Sequence, residues 1–392
     1  VQAAVDFVVA NPDVAVISET IEDRRVVLQV RGLGETTLAA RMRGTSMQVV
    51  VPLRVPGVTL ERVSAGAESS CGVVTDGWAS CWEGTPRFSG FPFPTRGIDV
   101  DVSRCGLTRN IRFEFIATIT CSGALAGTWG GFSASGIRVG GSNVCSWAYE
   151  STVRCWGLDN SLGQLGNGSR APSEQPVAIG GPRRYRMVAV SASHACAVTG
   201  DQAIWCWGGN PSGQLGTGSD AGPESCNGTP CSTVPVAVAG GVAFSGVAVG
   251  SGHSCGVDTS GAAWCWGAND HGQLGDGTTV QRNAPVRVAG GLTFQSLGAG
   301  YRHTCGITSS GAAYCWGDDG SGQLGLGTVG GTRPVPAAVV GGHAFRSIDG
   351  GRDHTCGVRT DFFAYCWGSN SHGQLGIGPP GPSKGTPQRV PM

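Results

Sequence analysis

The sequence predicts an all-β protein: a seven-bladed β-propeller with about four antiparallel strands per blade, preceded by a small N-terminal β-module. Three observations lead there. A cysteine-bounded unit recurs along most of the chain, glycine is in large excess, and charged residues are scarce. Glycine fills 67 of 392 positions, where ordinary usage is roughly 7%. Charged residues make up 14%, against about 25% in a typical soluble protein. Collagen would need a strict Gly-X-Y period, and disorder would need fewer Trp, Cys and aliphatic residues. Many short strands joined by glycine-rich turns fit both figures.

The clearest units read His-x-Cys, then nine residues, then Cys-Trp-Gly. They run from His194/Cys196 to Cys206-Trp207, from His253/Cys255 to Cys265-Trp266, from His303/Cys305 to Cys315-Trp316, and from His354/Cys356 to Cys366-Trp367. Cys145 to Cys155 and Cys71 to Cys81 keep the spacing without the histidine, and Cys105 with Cys121 forms a stretched, degenerate unit. That makes seven units, with a period of about 50 residues in the regular ones. The remaining pair, Cys226 and Cys231, sits in an insertion spanning 219–232, so all 16 cysteines have a place.

Between Cys305 and Cys315 the turn signal Ser309-Ser310-Gly311 lies at the midpoint. A hairpin folded there sets the two cysteines opposite each other, at about the 4.5–5.5 Å that a disulfide accepts. Each bridge would close a ring of about eleven residues, worth roughly 3 kcal/mol in the chain-entropy picture. Two other readings compete. Buried free cysteine can serve as a small core residue, and His-x-Cys resembles half of a zinc site. Zinc needs four convergent ligands, which pairs spread around a ring do not supply, so no metal is expected. Disulfides persist in oxidising compartments, which points to a periplasmic or extracellular protein, with surface attachment an option.

One unit shows the strand pattern. Residues 285–288 and 293–297 alternate, 303–308 and 312–316 form the cysteine hairpin, and a glycine-rich loop leads to the next unit. The tetrad Gly-Gln-Leu-Gly begins at Gly163, Gly213, Gly272, Gly322 and Gly373. Cys-Trp-Gly, then Asn/Asp-rich residues, then this tetrad, closely resembles the regulator-of-chromosome-condensation repeat over roughly residues 52–392. The resemblance implies a seven-bladed propeller. The tetrad leucines are expected to fill the space between neighbouring blades, and each tryptophan to pack an inter-blade core. The repeated histidines are expected to be hydrogen-bonded structural groups. For ring closure, residues 386–390 and 52–55 each resemble a unit's first strand, and either could complete a blade begun at the other end.

Departures from the repeat are where function is sought. The first two units lack the tetrad and carry Phe88, Phe91 and Phe93 among prolines, followed by Trp129. These four aromatics are the candidate partner-binding residues, against the alternative that they pack over a degenerate blade. Residues 1–51, without Cys or Trp, read as four strands at 14–17, 26–30, 36–41 and 47–51. They resemble the latter half of a bacterial Ig-like domain, which implies an attachment module and a bacterial origin. The domain division is therefore 1–51 and 52–392.

Net charge is zero, with 27 basic and 27 acidic residues, which argues against a nucleic-acid partner. No run of about 18 apolar residues would form a transmembrane segment. The chain carries no His-Glu-x-x-His, no phosphate-cradling loop and no Gly-x-Ser-x-Gly elbow, so no catalytic residues and no cofactor are assigned, and it reads as a non-enzyme. Asp318-Asp319 stands where other units have Ala268-Asn269 or Ser369-Asn370 and is read as turn chemistry, with calcium the alternative. The expectation is a non-catalytic extracytoplasmic protein-binding scaffold, a peripheral subunit docked on a membrane or surface complex. The family resemblance adds two alternatives: a secreted inhibitor that covers an enzyme active site, and a guanine nucleotide exchange factor.

Overall fold

The computed structural model describes residues 134–148 and 152–391, with 65, 66 and 128. For the strands before residue 134 it gives the backbone course and pairing alone. The chain divides into two compact units, 1–59 and 60–391. The first holds a three-stranded sheet of Val5–Val9, Gly34–Met42 and Gln48–Val55, and a separate hairpin of Ala15–Glu19 with Val27–Val30. Val5–Val9, which pairs with Gly34–Met42, is a strand the sequence pattern did not predict.

The second unit is an all-β propeller, and its described residues contain no helix. Every sheet is antiparallel. We letter them in chain order: A (60–82), B (97–132), C (136–178), D (185–237), E (244–287), F (294–338) and G (345–389). Five of these, B, C, E, F and G, have four strands. D has five and A has three, so the uniform seven-blade pattern is corrected: the four-stranded blade occurs five times.

The two exceptions differ. In D, Glu224–Cys226 pairs with Thr229–Ala237, so the insertion becomes a short extra strand at the blade's outer edge. Its turn, Asn227-Gly228, holds φ of 53° and 83°, the doubly left-handed geometry that suits a two-residue hairpin. For A the structure pairs three strands, and the repeat as a whole begins one strand later than the sequence reading placed it. Residues 285–288, expected to open a unit, fall at the end of Arg282–Arg287, which pairs with Ala263–Gly267 as the outer strand of blade E. The same shift settles the termini. Gly381–Arg389 is the outer strand of its own blade G, and residues 52–55 pair with Gly34–Met42 in the first unit. Neither end of the chain completes a blade begun at the other.

Blades A and G meet through two hydrogen bonds. The Ala65 N–H, at the end of the first strand of A, donates to the Asp349 carboxylate of blade G at 3.0 Å. The Arg352 N–H donates to the Gly66 carbonyl at 3.2 Å. Ala189, Ala248 and Gly298 occupy the place of Asp349 in blades D, E and F, and Asp99 occupies it in blade B.

Candidate functional site: the inter-blade seams

The second and third strands of each regular blade form the cysteine hairpin. Cys196 opposes Cys206, Cys255 opposes Cys265, Cys305 opposes Cys315 and Cys356 opposes Cys366. All four pairs are bonded, as are Cys145–Cys155 and Cys226–Cys231. Cys71, Cys81, Cys105 and Cys121 lie outside the described side chains, although the backbone registers Cys71 opposite Cys81 and Cys105 opposite Cys121. Phe88, Phe91 and Phe93 also lie outside the described residues. Trp129 is placed only as backbone, in the strand Gly127–Phe132.

The tetrad builds the neighbouring seam. The Leu215 N–H donates to Asn210 Oδ1 at 2.9 Å, and the Ser212 N–H donates to Gln214 Oε1 at 2.9 Å. That small knot turns Leu215 fully inward, into one cluster with Phe244, Val247 and Trp266 of the next blade. Gly216 must be glycine. Its φ is +70°, and a Cβ there would lie 2.7 Å from the Trp266 indole nitrogen. Tetrad leucine and next-blade tryptophan pair in this way at four successive seams: Leu165 with Trp207, Leu215 with Trp266, Leu274 with Trp316 and Leu324 with Trp367.

Over that apolar contact runs a buried polar clasp. At the D–E seam the backbone carbonyl of Gln214 accepts from the Trp266 indole N–H at 2.9 Å and from the Ser254 hydroxyl at 2.9 Å. Ser254 is in turn 2.8 Å from His194 Nε2. Because the hydroxyl gives its proton to the carbonyl, it accepts from the histidine, which places a proton on Nε2. The E–F seam repeats the arrangement with His253, Thr304, Trp316 and the Gln273 carbonyl, at 2.9–3.0 Å. The F–G seam repeats it with His303, Thr355, Trp367 and the Gln323 carbonyl, at 2.7–2.9 Å.

These histidines are buried and neutral. Burial takes His194 and His303 down to about 3, and the neighbouring histidines push the same way. Burial alone takes His354 down to about 4. His253 also falls to about 4, with Asp270 pulling weakly in the opposite direction. Charging His194, His253 or His303 would place an imidazolium in a seam where its hydrogen-bond partners are hydroxyls. The hydroxyl of the clasp was not picked out from the sequence. Its signal was the residue between His and Cys, which is Ser254, Thr304 and Thr355 in three units and Ala195 in the fourth.

Asp319 departs from its siblings. It keeps the shared bond, accepting from the Leu324 N–H at 3.1 Å, and its backbone closes a turn with Gly330 and Gly331. In the sibling blades the equivalent amide group also ties down the following loop. Asn269 Nδ2 donates to the Thr278 and Val280 carbonyls, and Asn160 Nδ2 to those of Ser169 and Ala171. Asp319 is fully buried, and its Oδ2 has no hydrogen-bond partner. Burial holds its carboxyl above the ordinary range, against the lowering pull of the Leu324 N–H and Arg333. Among the described residues no group of three or more His, Cys, Asp or Glu side chains converges as a metal site.

Regulator of chromosome condensation (RCC1) repeats match residues 152–198, 260–307, 310–358 and 364–392 in one form, and 188–214, 244–273, 294–323 and 345–374 in a second. The protein is a member of the RCC1 repeat family. It is 36% identical over 146 residues to the ultraviolet-B receptor UVR8 of Arabidopsis thaliana, which is 36% of this chain and 31% of that protein. It is 30% identical over 147 residues to the human E3 ubiquitin-protein ligase HERC2, which is 35% of this chain and 3% of the ligase. The matched part thus spans at most about a third of either relative. Human WBSCR16 shares the fold, with a TM-score of 0.59, 17% identity, and 97% of this chain and 90% of that one covered. Prp20p of Saccharomyces cerevisiae, whose structure was reported with its binding to Gsp1p and histones, has a TM-score of 0.57 at 16% identity. That likeness covers 84% of this chain and 76% of Prp20p.

Proposed function

We propose that the protein is a non-catalytic protein-binding scaffold that works in an oxidising, extracytoplasmic compartment, as a peripheral subunit of a membrane or surface complex. The observation that carries the compartment is the set of six closed disulfides, including one clip in a surface hairpin. Bridges of this density persist where thiols are not kept reduced. No helix among the described residues is long and apolar enough to cross a membrane. Binding is favoured over catalysis because the recurring histidines are already committed to the seams, neutral and fully enclosed. A general base needs access to a substrate proton.

In this reading the seven sheets form one ring, and Cys71–Cys81 and Cys105–Cys121 are bonded like their siblings. The N-terminal unit is an Ig-like attachment module, and Phe88, Phe91, Phe93 and Trp129 face a partner. Mild-detergent purification of the native protein, followed by mass spectrometry, tests it. A stable stoichiometric complex is expected, and it should be lost when residues 1–59 are deleted or the three phenylalanines are replaced by serine. A wild-type protein recovered alone would contradict the scaffold reading.

A further inference from the structure

The turn of the cysteine hairpin differs between blades, and only in blade G does it carry an aromatic ring at the left-handed position among the described residues. Blades E and F place Gly261 and Gly311 at the left-handed position of this turn, with φ of 88° and 84°, after small polar residues. Blade D places Gln202 there and blade G places Phe362, each with φ of 69°. A bulky side chain in left-handed backbone is a real outlier, and such strain gathers where a side chain must be presented. Phe362 is presented: it is 36% exposed, and the Arg346 guanidinium lies 4.5 Å from its ring centre. Beside it, Arg389 stacks on Phe363 at 3.8 Å, and Arg359 covers Tyr365 while pairing with Asp361 at 3.3 Å.

Three arginines against one aspartate make this rim locally basic in a chain whose net charge is zero. Exposed aromatic rings joined to arginine are the composition of interface hot spots. The adjoining edge strand, Gly381–Arg389, contains Pro382 and Pro387, which obstruct capture of a further strand by backbone pairing. Recognition at this rim therefore falls to side chains.

We propose that Phe362, Arg346 and Arg389 form a docking surface for an acidic protein segment, with an apolar residue of the partner against the Phe362 ring and its carboxylates on the two guanidiniums. The proposal rests on the protein-binding reading and gives it a surface and a partner chemistry. The full chain is titrated, by fluorescence anisotropy, with a labelled peptide of sequence Glu-Asp-Glu-Leu-Asp-Glu and with a counterpart carrying lysine in place of every acid. The acidic peptide is expected to bind, to weaken with added salt, and to lose at least tenfold in affinity with Phe362→Gly and with Arg346→Ala/Arg389→Ala. The lysine peptide is expected not to bind.

Phe362→Gly restores the sibling turn, so its melting temperature should match or exceed that of the wild type. Should it melt early, the arginine pair decides alone. No binding to the wild type, or equal binding to the tested variants, overturns the proposal. Native co-purification separates this failure from that of the scaffold. If Phe362→Gly retains every partner of the wild type, the rim is wrong and the scaffold stands. A wild type without partners removes the scaffold reading itself.

Discussion

The seam between blades C and D and the three seams that follow it share an apolar core and differ in what lies above it. At D–E, E–F and F–G, histidine, hydroxyl, indole and carbonyl form one buried chain. At C–D only the indole bond survives, from the Trp207 N–H to the Gln164 carbonyl at 2.8 Å. Asn143 takes the histidine's place there, and Ala195 takes the hydroxyl's. The two losses belong together. A hydroxyl without a histidine would leave a lone pair unmet, and a histidine without a hydroxyl would leave its N–H unmet. Leucine, tryptophan and glycine are enough to stack two blades, and the clasp is an addition that comes whole or not at all.

The largest expected effect is acid sensitivity of the clasped blades. The four histidines titrate at about 3–4 in the fold, against about 6.5 in the unfolded chain. The unfolded state therefore binds more protons between these values, so stability is full above pH 6.5 and falls as pH drops towards 4. Each histidine would account for at most about 3 kcal/mol of that loss by pH 4. Thermal melts across pH 4–8 check it, and a flat profile would contradict the neutral clasp.

Thr304→Val comes next. It keeps the shape but leaves the His253 N–H without an acceptor and removes one donor from the Gln273 carbonyl. A loss of about 3 kcal/mol is expected in chemical denaturation. The matching control, Ala195→Ser at the unclasped seam, should bring no gain. Between blades A and G, Asp349→Ala removes the carboxylate that receives the Ala65 N–H, for an expected loss of about 2 kcal/mol. Hydrogen exchange should quicken at residues 60–65 before other strands respond.

The smallest effect has the opposite sign. Asp319→Asn restores the amide of the sibling blades and should stabilise the protein by about 1 kcal/mol at neutral pH. The gain should shrink in acid. A carboxyl whose folded pKa is raised favours the fold below its unfolded value of 3.8, and that advantage is lost as pH rises through the raised value. Equal gains at both pH values would contradict the buried, unpaired oxygen.

Local signals carried most of the fold. The Ser309-Ser310-Gly311 turn set Cys305 opposite Cys315, and the tetrad leucines and tryptophans proved to be seam residues. Phase was not legible, because a periodic sequence reads the same from any starting strand. Residues 285–288 therefore opened a unit in the sequence and end a blade in the structure. The clasp was half visible. His253 repeats conspicuously, but its partner Thr304 lies 51 residues on, and a lone hydroxyl has no local pattern. Asp349 carried no signal, because its meaning comes from Ala65, 284 residues away. Of the candidate partner residues, only the strand that carries Trp129 is placed.

The central claim is that this propeller is stapled blade by blade in an oxidising compartment. Intact-mass analysis of the natively expressed protein, denatured and alkylated without reductant, tests it most directly. The account predicts no alkylated cysteine before reduction and 16 after it, one for every cysteine in the chain. Sixteen alkylated thiols without reductant would contradict the staples, and the extracytoplasmic reading would fall with them.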